Sequence, residues 1–342
     1  MKGRIRSWGL VTILGLIGAM LLFGVSGWAQ KASVAKPPNP PAPPANPAIA
    51  YSQGQGSEGR LMVMNADGSN QRVVTKERYV GYWRPDWSPE GKQLVFLKNN
   101  SRSNQALGIF TVNLDGTGLK KLKDLNDGGW ADHMPVRWSP LPLGDGYNKV
   151  AFTDRAKLPD GTLRADFDLF LINLDGSGLV RLTDTPDVDE GYRDIAWSPS
   201  GEYIAVADYD DIIVYQITYG AGGFAATSLG SVVHVTGSPL EYAGNAFSFD
   251  WAKTQNKLVV SVCATGDGIP DFWTIDVFMP LNVVRLTTTP NLWEREPSWS
   301  PNDAQFLCII GPESGLWTMN ADGSGVALIG YGFTTPRWRR NP

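Results

Sequence analysis

The chain has 342 residues, including 38 glycines, 24 prolines and 13 tryptophans. This length is enough for one or two domains. Many turn-forming residues together with many aromatic ones favour short strands joined by tight turns over long helices. The formal net charge is −4, and no basic run follows the first few residues, which argues against a nucleic-acid-binding surface.

The first 29 residues have the pattern of a targeting segment. Three cations within the first six residues precede an almost wholly apolar run from Trp8 to Trp28. Gly27 and Ala29 place small side chains at the −3 and −1 positions of a cleavage site before Gln30. The pattern predicts a signal peptide over residues 1–29 and therefore an exported protein. An uncleaved anchor is the alternative, since the apolar run approaches the ~20 residues that span a bilayer. Membrane contact is expected only through such an anchor.

Residues 30–47 are rich in proline and alanine. This composition favours an extended polyproline II conformation, which is a semi-rigid spacer. The segment is either a spacer that holds the folded part away from a membrane or wall, or a disordered lead-in. We expect residues 48–342 to form the folded domain.

An internal repeat determines the architecture of that domain. The stretch from Arg295 to Ile329 holds four short apolar runs, with a Ser-Pro turn after the first and an Asn-x-Asp-Gly turn after the third. The same order recurs from Asp86 to Gly116. Proline presets φ and cannot donate to a sheet, while Asp-Gly supplies the positive φ that a tight hairpin needs. Each unit is thus predicted to be a four-stranded antiparallel sheet.

The number of units follows from the tryptophan that ends the first strand of each. These tryptophans are Trp87, Trp138, Trp197, Trp251, Trp299 and Trp338, at spacings of 51, 59, 54, 48 and 39 residues. Five units are complete. Residues 48–75 supply only the last three strands of a unit, and residues 335–340 supply only a first strand.

One carboxy-terminal strand and three amino-terminal strands complete a sixth unit. Closure of this kind removes the exposed edges of an open array. The sequence therefore predicts an all-β fold, a six-bladed β-propeller of four-stranded antiparallel blades with little or no helix.

The motifs WSPEGK, WSPSGE, NADGSN, NLDGSG and RLTDTP resemble the propeller repeats of the TolB-like family. They are also similar to the WD-like repeats that precede the hydrolase domain in prolyl oligopeptidase relatives. The resemblance covers about residues 48–340 and implies the propeller fold, without the amino-terminal α/β domain of TolB. A TolB-like role in the cell envelope is implied only by analogy, because the shared residues are those of turns.

Motifs for catalysis, cofactors and metals are weak. A Gly-x-Gly-x-x-Gly motif at residues 54–59 leads into a strand, whereas dinucleotide binding needs a helix there. Two histidines are too few for a three-histidine metal site. We therefore expect no cofactor and no metal. Calcium at Asp267 and Asp271 stays open, and Cys263 and Cys308 are expected to be buried free thiols more readily than a disulfide.

The start of each first strand marks the ligand-facing end of the central channel, which we call the mouth. Aromatic residues, arginine and carboxylates collect there, a composition typical of recognition surfaces. The predicted partner-binding residues are Trp83, Arg84, Asp132, His133, Tyr192, Arg193, Asp194, Trp293, Glu294, Arg295 and Phe333. The alternative is structural: aromatic residues here can pack between blades, and Arg–Asp pairs can be ion pairs between blades.

The leading functional hypothesis is an exported, monomeric, non-catalytic propeller. It would bind a protein or peptide partner of the cell envelope at the mouth, and would be periplasmic, associated with the envelope or secreted. The alternative is an enzyme acting on a glycan or peptide at the same mouth. Its acid and base would come from Asp132, Asp194, Glu294 and Glu296.

Overall fold

The computed structural model describes residues 48–54, 58–103, 105–126, 134–184, 192–208, 211–234, 236, 238–240, 246–264 and 268–340. Over these residues the regular secondary structure is β-strand throughout, and none of it is helix. No helix long and apolar enough to cross a membrane therefore occurs in this part of the chain.

The first twelve strands, in chain order, are β1 (Ile49–Gln53), β2 (Glu58–Met64), β3 (Arg72–Arg78), β4 (Val80–Trp87), β5 (Gln93–Asn100), β6 (Ala106–Asn113), β7 (Lys120–Lys123), β8 (Val136–Trp138), β9 (Lys149–Lys157), β10 (Leu163–Asn173), β11 (Val180–Arg181) and β12 (Tyr192–Trp197). The other twelve are β13 (Tyr203–Asp208), β14 (Asp211–Gly220), β15 (Gly223–Ser231), β16 (Ala246–Trp251), β17 (Lys257–Val262), β18 (Asp271–Asp276), β19 (Met279–Arg285), β20 (Glu294–Trp299), β21 (Gln305–Ile310), β22 (Gly315–Asn320), β23 (Ala327–Gly330) and β24 (Thr334–Trp338).

These strands form six antiparallel sheets of four strands each. Blades 1 to 5 are β4–β7, β8–β11, β12–β15, β16–β19 and β20–β23. Blade 6 has the order β24-β1-β2-β3. The innermost strands β4, β8, β12, β16, β20 and β24 contact one another in turn, which closes the ring. The predicted six-bladed propeller is confirmed.

Ring closure joins the two ends of the folded domain. Strand β24 pairs antiparallel with β1, with Ile49 opposite Trp338. The backbone N–H of Arg339 donates to the carbonyl of Ala48 at 2.8 Å and extends this pairing. The predicted closure by one carboxy-terminal and three amino-terminal strands is therefore present.

The repeated turn motifs work through side-chain hydrogen bonds. In the Asn173 turn, the amide of Asn173 donates to Ser177 Oγ at 3.0 Å, and Asp175 Oδ1 accepts from the N–H of Ser177 at 2.9 Å. Gly176 has φ of +93°, a value that strongly favours glycine. Three further turns, at Asn65, Asn113 and Asn320, repeat the glycine with positive φ.

The core lies between adjacent blades. The tryptophans that end the inner strands of blades 1 to 5 are at most 1% exposed. Trp87, for example, packs among Ala50 and Leu61 of blade 6 and Leu94 of its own blade. Its indole N–H donates to the carbonyl of Arg337 at 3.1 Å. Each such tryptophan thus ties a blade to its neighbour.

The two cysteines, Cys263 and Cys308, are buried and are not bridged. Burial raises the pKa of the Cys308 thiol well above its ordinary value, so this thiol stays protonated. The expected free thiols are confirmed.

Candidate functional site: the central channel and its mouth

Two positions of each inner strand define the channel. The first is the residue directly before the terminal tryptophan, and the second lies three residues before it. Between these positions the register of β4 shifts against β5, between Trp83 and Asp86, and that of β20 shifts against β21, between Arg295 and Ser298. Such β-bulges redirect a side chain out of the regular alternation.

The bulges carry unusual backbone conformations. Arg84, Glu296 and Thr335 occupy equivalent positions and have φ of 49°, 53° and 46°. Positive φ is rare for residues other than glycine, and especially so for a β-branched threonine. Contacts with the surrounding structure must hold this strained conformation in place at all three positions.

Side chains at the bulges form hydrogen bonds with the backbone of an adjacent blade. Thr335 Oγ1 accepts the N–H of Arg84 at 3.1 Å, and Ser248 Oγ accepts the N–H of Glu296 at 2.8 Å. Asp194 Oδ2 accepts the N–H of Phe249 at 3.3 Å. These bonds satisfy backbone donors that no sheet partner can reach, because the inner strands of neighbouring blades do not pair.

The residues directly before the tryptophans form equivalent hydrogen bonds between adjacent blades, deeper in the channel. Asp86 Oδ2 accepts the N–H of Trp138 at 2.8 Å, and Asp250 Oδ2 accepts that of Trp299 at 2.8 Å. Ser298 Oγ accepts the N–H of Trp338 at 2.9 Å. A short oxygen-bearing side chain at this position therefore joins a blade to the following one.

Ion pairs also cross the channel. The guanidinium of Arg84 in blade 1 lies 3.4 Å from Asp194 in blade 3 and 3.7 Å from Glu296 in blade 5. Arg337 in blade 6 lies 3.1 Å from Asp250 in blade 4. These pairs connect blades that are not neighbours, so the side chains extend across the axis.

The crossing pairs have a defined polarity. The arginines Arg84, Arg137 and Arg337 come from blades 1, 2 and 6, while Asp194 and Asp250 come from blades 3 and 4. All five side chains are at most 7% exposed. Arginines from blades 1, 2 and 6 therefore meet carboxylates from blades 3 and 4 in the channel. The Arg137–Asp194 pair joins adjacent blades, and Asp86 of blade 1 also lies 4.0 Å from Arg337.

The pKa values of the buried channel residues reflect both the cost of burying a charge and the charges of their neighbours. Burial alone would raise the pKa of Asp250, but Lys253 and Arg337 hold it at about 2. Burial lowers the pKa of Lys253 to about 8, although Asp250 lies 2.6 Å away. Burial, with Arg337 nearby, lowers the pKa of Arg137 to about 10. All three groups are charged near neutral pH, and each needs its partners.

Two of the predicted mouth residues lie at the surface. The side chain of Trp293 is 48% exposed. Arg295 is exposed as well, and its guanidinium reaches Ser314 Oγ at 3.2 Å in the β21–β22 turn. Trp83 is half-buried near the same end of the channel. Trp293 and Arg295 are therefore accessible at the rim, whereas Trp83 packs against the core of blades 1 and 2 and its indole nitrogen is buried.

Two others are buried within and between blades. Phe333 is 3% exposed, and its ring lies 4.8 Å from that of Tyr51. Glu294 is fully buried and accepts hydrogen bonds from the hydroxyls of Thr287 and Thr289 and from the N–H of Phe272. Burial raises the pKa of Glu294 above its ordinary value despite these donors. Both side chains pack away from the mouth.

The remaining predicted residues divide into two groups. Asp194 and Arg84 are buried as an ion pair inside the channel. Asp132 and His133 lie outside the described residues, as do the side chains of Tyr192 and Arg193.

The sequence did not lead to four of the channel residues, which are Asp86, Arg137, Asp250 and Arg337. Their signal was available, since each directly precedes a repeat tryptophan. Strand alternation alone does not tell which face of an inner strand points toward the axis, so the signal could not be interpreted.

One of the two possible calcium ligands, Asp271, already has other partners. Asp271 is ion-paired with Arg285 and also accepts the N–H of Thr289 at 3.3 Å. Its carboxylate is therefore already used, whereas Asp267 lies outside the described residues. Within the described ranges no group of three or more His, Cys, Asp or Glu side chains is placed to hold a metal ion.

Comparison with solved structures matches this architecture. TolB from Acinetobacter baumannii superposes with a TM-score of 0.60 at 16% identity, over 85% of this chain and 66% of that chain. The fold of the present chain is thus a TolB-like six-bladed β-propeller. Hydrazine synthase from Kuenenia stuttgartiensis gives a TM-score of 0.63 at 12% identity, over 87% of this chain and 47% of that one.

A chain of a nidogen–laminin complex gives a TM-score of 0.60 at 10% identity, over 86% of this chain and 99% of that one. The TolB-like propeller thus spans less than two thirds of the TolB chain and about half of hydrazine synthase. No protein-family model matches the chain, and no curated protein matches its sequence. Identities this low show a common fold, and function must be argued from the site.

Proposed function

We propose that this chain is an exported, monomeric propeller that binds a protein or peptide partner at the rim of the channel mouth. The observation that carries the proposal is the exposure of Trp293, a large aromatic side chain, beside the exposed guanidinium of Arg295. Tryptophan, tyrosine and arginine are enriched among the residues that contribute most of the binding energy of protein interfaces. Trp83 is half-buried and packs against the core of blades 1 and 2, and Phe333 is buried.

The exposed residues form a continuous rim around one turn, residues 310–315, between β21 and β22. The N–H of Gly311 donates to the carbonyl of Trp293 at 2.9 Å. A Cβ on Gly315 would lie 3.3 Å from the ring of Tyr331, which is 56% exposed. We call Leu292, Trp293, Arg295 and Tyr331 the rim patch. The turn itself carries the exposed carboxylate of Glu313, so the patch offers apolar area with charges of both signs and suits a peptide with apolar and charged side chains.

The geometry of Asp194, Glu294 and Glu296 weakens the enzymatic alternative, whereas its fourth candidate, Asp132, lies outside the described residues. Asp194 is occupied by two arginines, and Glu294 has no solvent contact. Glu296 is partly exposed but faces Arg84 at 3.7 Å. A general acid and base must reach a substrate within hydrogen-bonding distance, and the buried carboxylates have no path to one. These features favour binding over hydrolysis.

Export is the part of the proposal that rests on the sequence of residues 1–29. A basic start followed by an apolar run and small residues at −3 and −1 is typical of a cleaved signal. A TolB-like place in the envelope follows only by analogy of fold. Amino-terminal sequencing of the protein purified from its native source should give a chain that starts at Gln30. A chain that starts at Met1 would contradict cleavage.

The binding proposal is tested by site-directed photocrosslinking. A photoreactive phenylalanine analogue replaces Tyr331 in the rim patch or, as a matched control, Tyr219, which is 50% exposed at the far end of blade 3. We expect a discrete crosslinked partner from Tyr331 and none from Tyr219. The purified partner should then bind the Trp293→Ala variant at least about tenfold more weakly. Equal affinity of wild type and variant would refute the rim patch.

A further inference from the structure

The turns at the opposite end of the channel differ in one blade. In four blades the turn after the inner strand closes across five residues, through N–H···O=C bonds from Ser88 to Gln93, Ser198 to Tyr203, Ala252 to Lys257 and Ser300 to Gln305. In blade 2 the equivalent bond runs from Ser139 to Lys149, across ten. Blade 2 thus carries a five-residue insertion. In repeat proteins, insertions confined to one repeat commonly form the binding face.

The insertion lines a cavity of about 600 Å³ that is open to solvent on one side. Four lining residues come from the long turn and four from the β10–β11 turn of the same blade: Pro142, Gly146, Tyr147, Asn148, Asn173, Leu174, Asp175 and Ser177. This volume falls within the range of small-molecule sites. The cavity lies on the face that bears the repeated turns, away from the rim patch.

Lys149 holds the two walls of the cavity together. Its ammonium group pairs with Asp145 on the long turn and donates to Asn173 Oδ1 on the other. The same nitrogen lies 5.6 Å from the Tyr147 ring centroid and 5.1 Å from that of Phe224 in blade 3. Since Lys149 itself is buried, these contacts fix the shape of the cavity before any ligand arrives.

The lining combines one exposed aromatic face with uncommitted polar atoms. Tyr147 is 66% exposed, the most of any large hydrophobic side chain in the described ranges. The amide oxygen of Asn148 is buried and has no hydrogen-bond partner in the structure, so a ligand reaches it only when this side chain turns outward. Asp175 uses Oδ1 for Ser177, and this bonding lowers its pKa, so the carboxylate is an ionised acceptor. Aromatic faces bind the C–H surfaces of sugars, while amides and carboxylates bind their hydroxyls.

We propose that this cavity is a binding site for a neutral oligosaccharide, with a sugar ring stacked on Tyr147 and its hydroxyls bonded to Asn148 and Asp175. A neutral ligand is favoured, because the charged lining side chain, Asp175, is an anion while the ammonium of Lys120 lies against the carbonyls of Leu174 and Asp175 in the same wall. A concave, polar lining also suits a small polyol better than the broad apolar contact of a protein partner. This proposal is independent of partner binding at the rim patch.

The test uses the full folded chain and isothermal titration calorimetry. Three neutral hexasaccharides are titrated separately: maltohexaose, cellohexaose and chitohexaose. We expect at least one to bind. Tyr147→Ala should weaken that binding about tenfold or more, because the stacking surface is lost, whereas Tyr147→Phe keeps it. Asn148→Ala should weaken binding several-fold. Phe278→Ala, which removes an exposed aromatic side chain of blade 4 outside both proposed sites, should bind like wild type.

Thermal unfolding of each variant is measured alongside, so that loss of binding is not confused with loss of fold. Failure of all three hexasaccharides to bind the wild type would overturn the proposal. Binding that survives Tyr147→Ala undiminished would overturn it as well. A Tyr147-dependent peptide complex in place of a saccharide complex would assign the cavity to a different ligand class.

Discussion

The channel interior and the rim patch carry similar residue types in opposite circumstances. Arg84 and Arg337 are at most 7% exposed and are ion-paired across the axis. Arg295 and Trp293 lie only a few residues from channel positions and are open to solvent. Charge inside the ring therefore supports the fold, whereas charge and aromatic area at the rim are available to a partner. The same sequence composition serves stability in one place and recognition in the other.

Removing strand β24 should have the largest effect. Deletion of residues 331–342 exposes the edge of β1 and removes Arg337 from the channel, so the ring cannot close. Because domains are stable by only about 5–15 kcal/mol, we expect loss of a cooperative unfolding transition in calorimetry. An unchanged transition would show that the ring does not depend on its closure.

Breaking one crossing ion pair should have the next largest effect. Arg337→Ala leaves Asp250 with Lys253 alone and Asp86 without this buried partner, and breaking a buried ion pair by removing one partner costs about 3–5 kcal/mol. Urea unfolding followed by tryptophan fluorescence measures the change. The control, Arg295→Ala, should lie within about 0.5 kcal/mol of wild type, since it removes an exposed arginine. Similar losses of unfolding free energy in both variants would show that channel and rim arginines contribute equally to stability.

A substitution in the rim patch should weaken partner binding and leave the stability of the fold unchanged. Trp293→Ala is expected to cost about 2 kcal/mol or more in affinity for the crosslinked partner, as interface tryptophans commonly do. Its free energy of unfolding should stay within about 0.5 kcal/mol of wild type. A large loss of stability would show that Trp293 belongs to the core despite its exposure.

The smallest expected effect concerns pH. Glu294 has a folded-state pKa above its ordinary value of 4.5, because burial disfavours the charged form. The folded state therefore binds this proton more tightly than the unfolded state. Its contribution is fully present below the ordinary value and is lost as pH rises through the raised pKa. Glu294→Gln should flatten this decline in urea unfolding measured from pH 4 upward, in about unit steps. An identical decline in both proteins would assign it elsewhere.

The turn chemistry made much of the fold predictable. Ser-Pro and Asn-x-Asp-Gly act through local bonds, such as those of Asn173, Asp175 and Ser177, so their meaning does not depend on distant residues. The site was less predictable. Trp293 and Arg295 are exposed as a mouth site requires, but Arg84 and Asp194 turned inward and Phe333 joined the core. Their burial depends on bulges and on side chains from other blades.

The sequence by itself determined the number of blades, the order of strands within them and the closure of the ring, since these follow from motifs repeated at regular spacing. Only the tertiary structure decided that Arg84, Asp194 and Arg337 brace the channel, because their partners lie in blades far away in the chain. It alone also showed that the longer turn of blade 2 lines a cavity. Turns form from neighbouring residues, whereas burial and shape arise where distant strands meet.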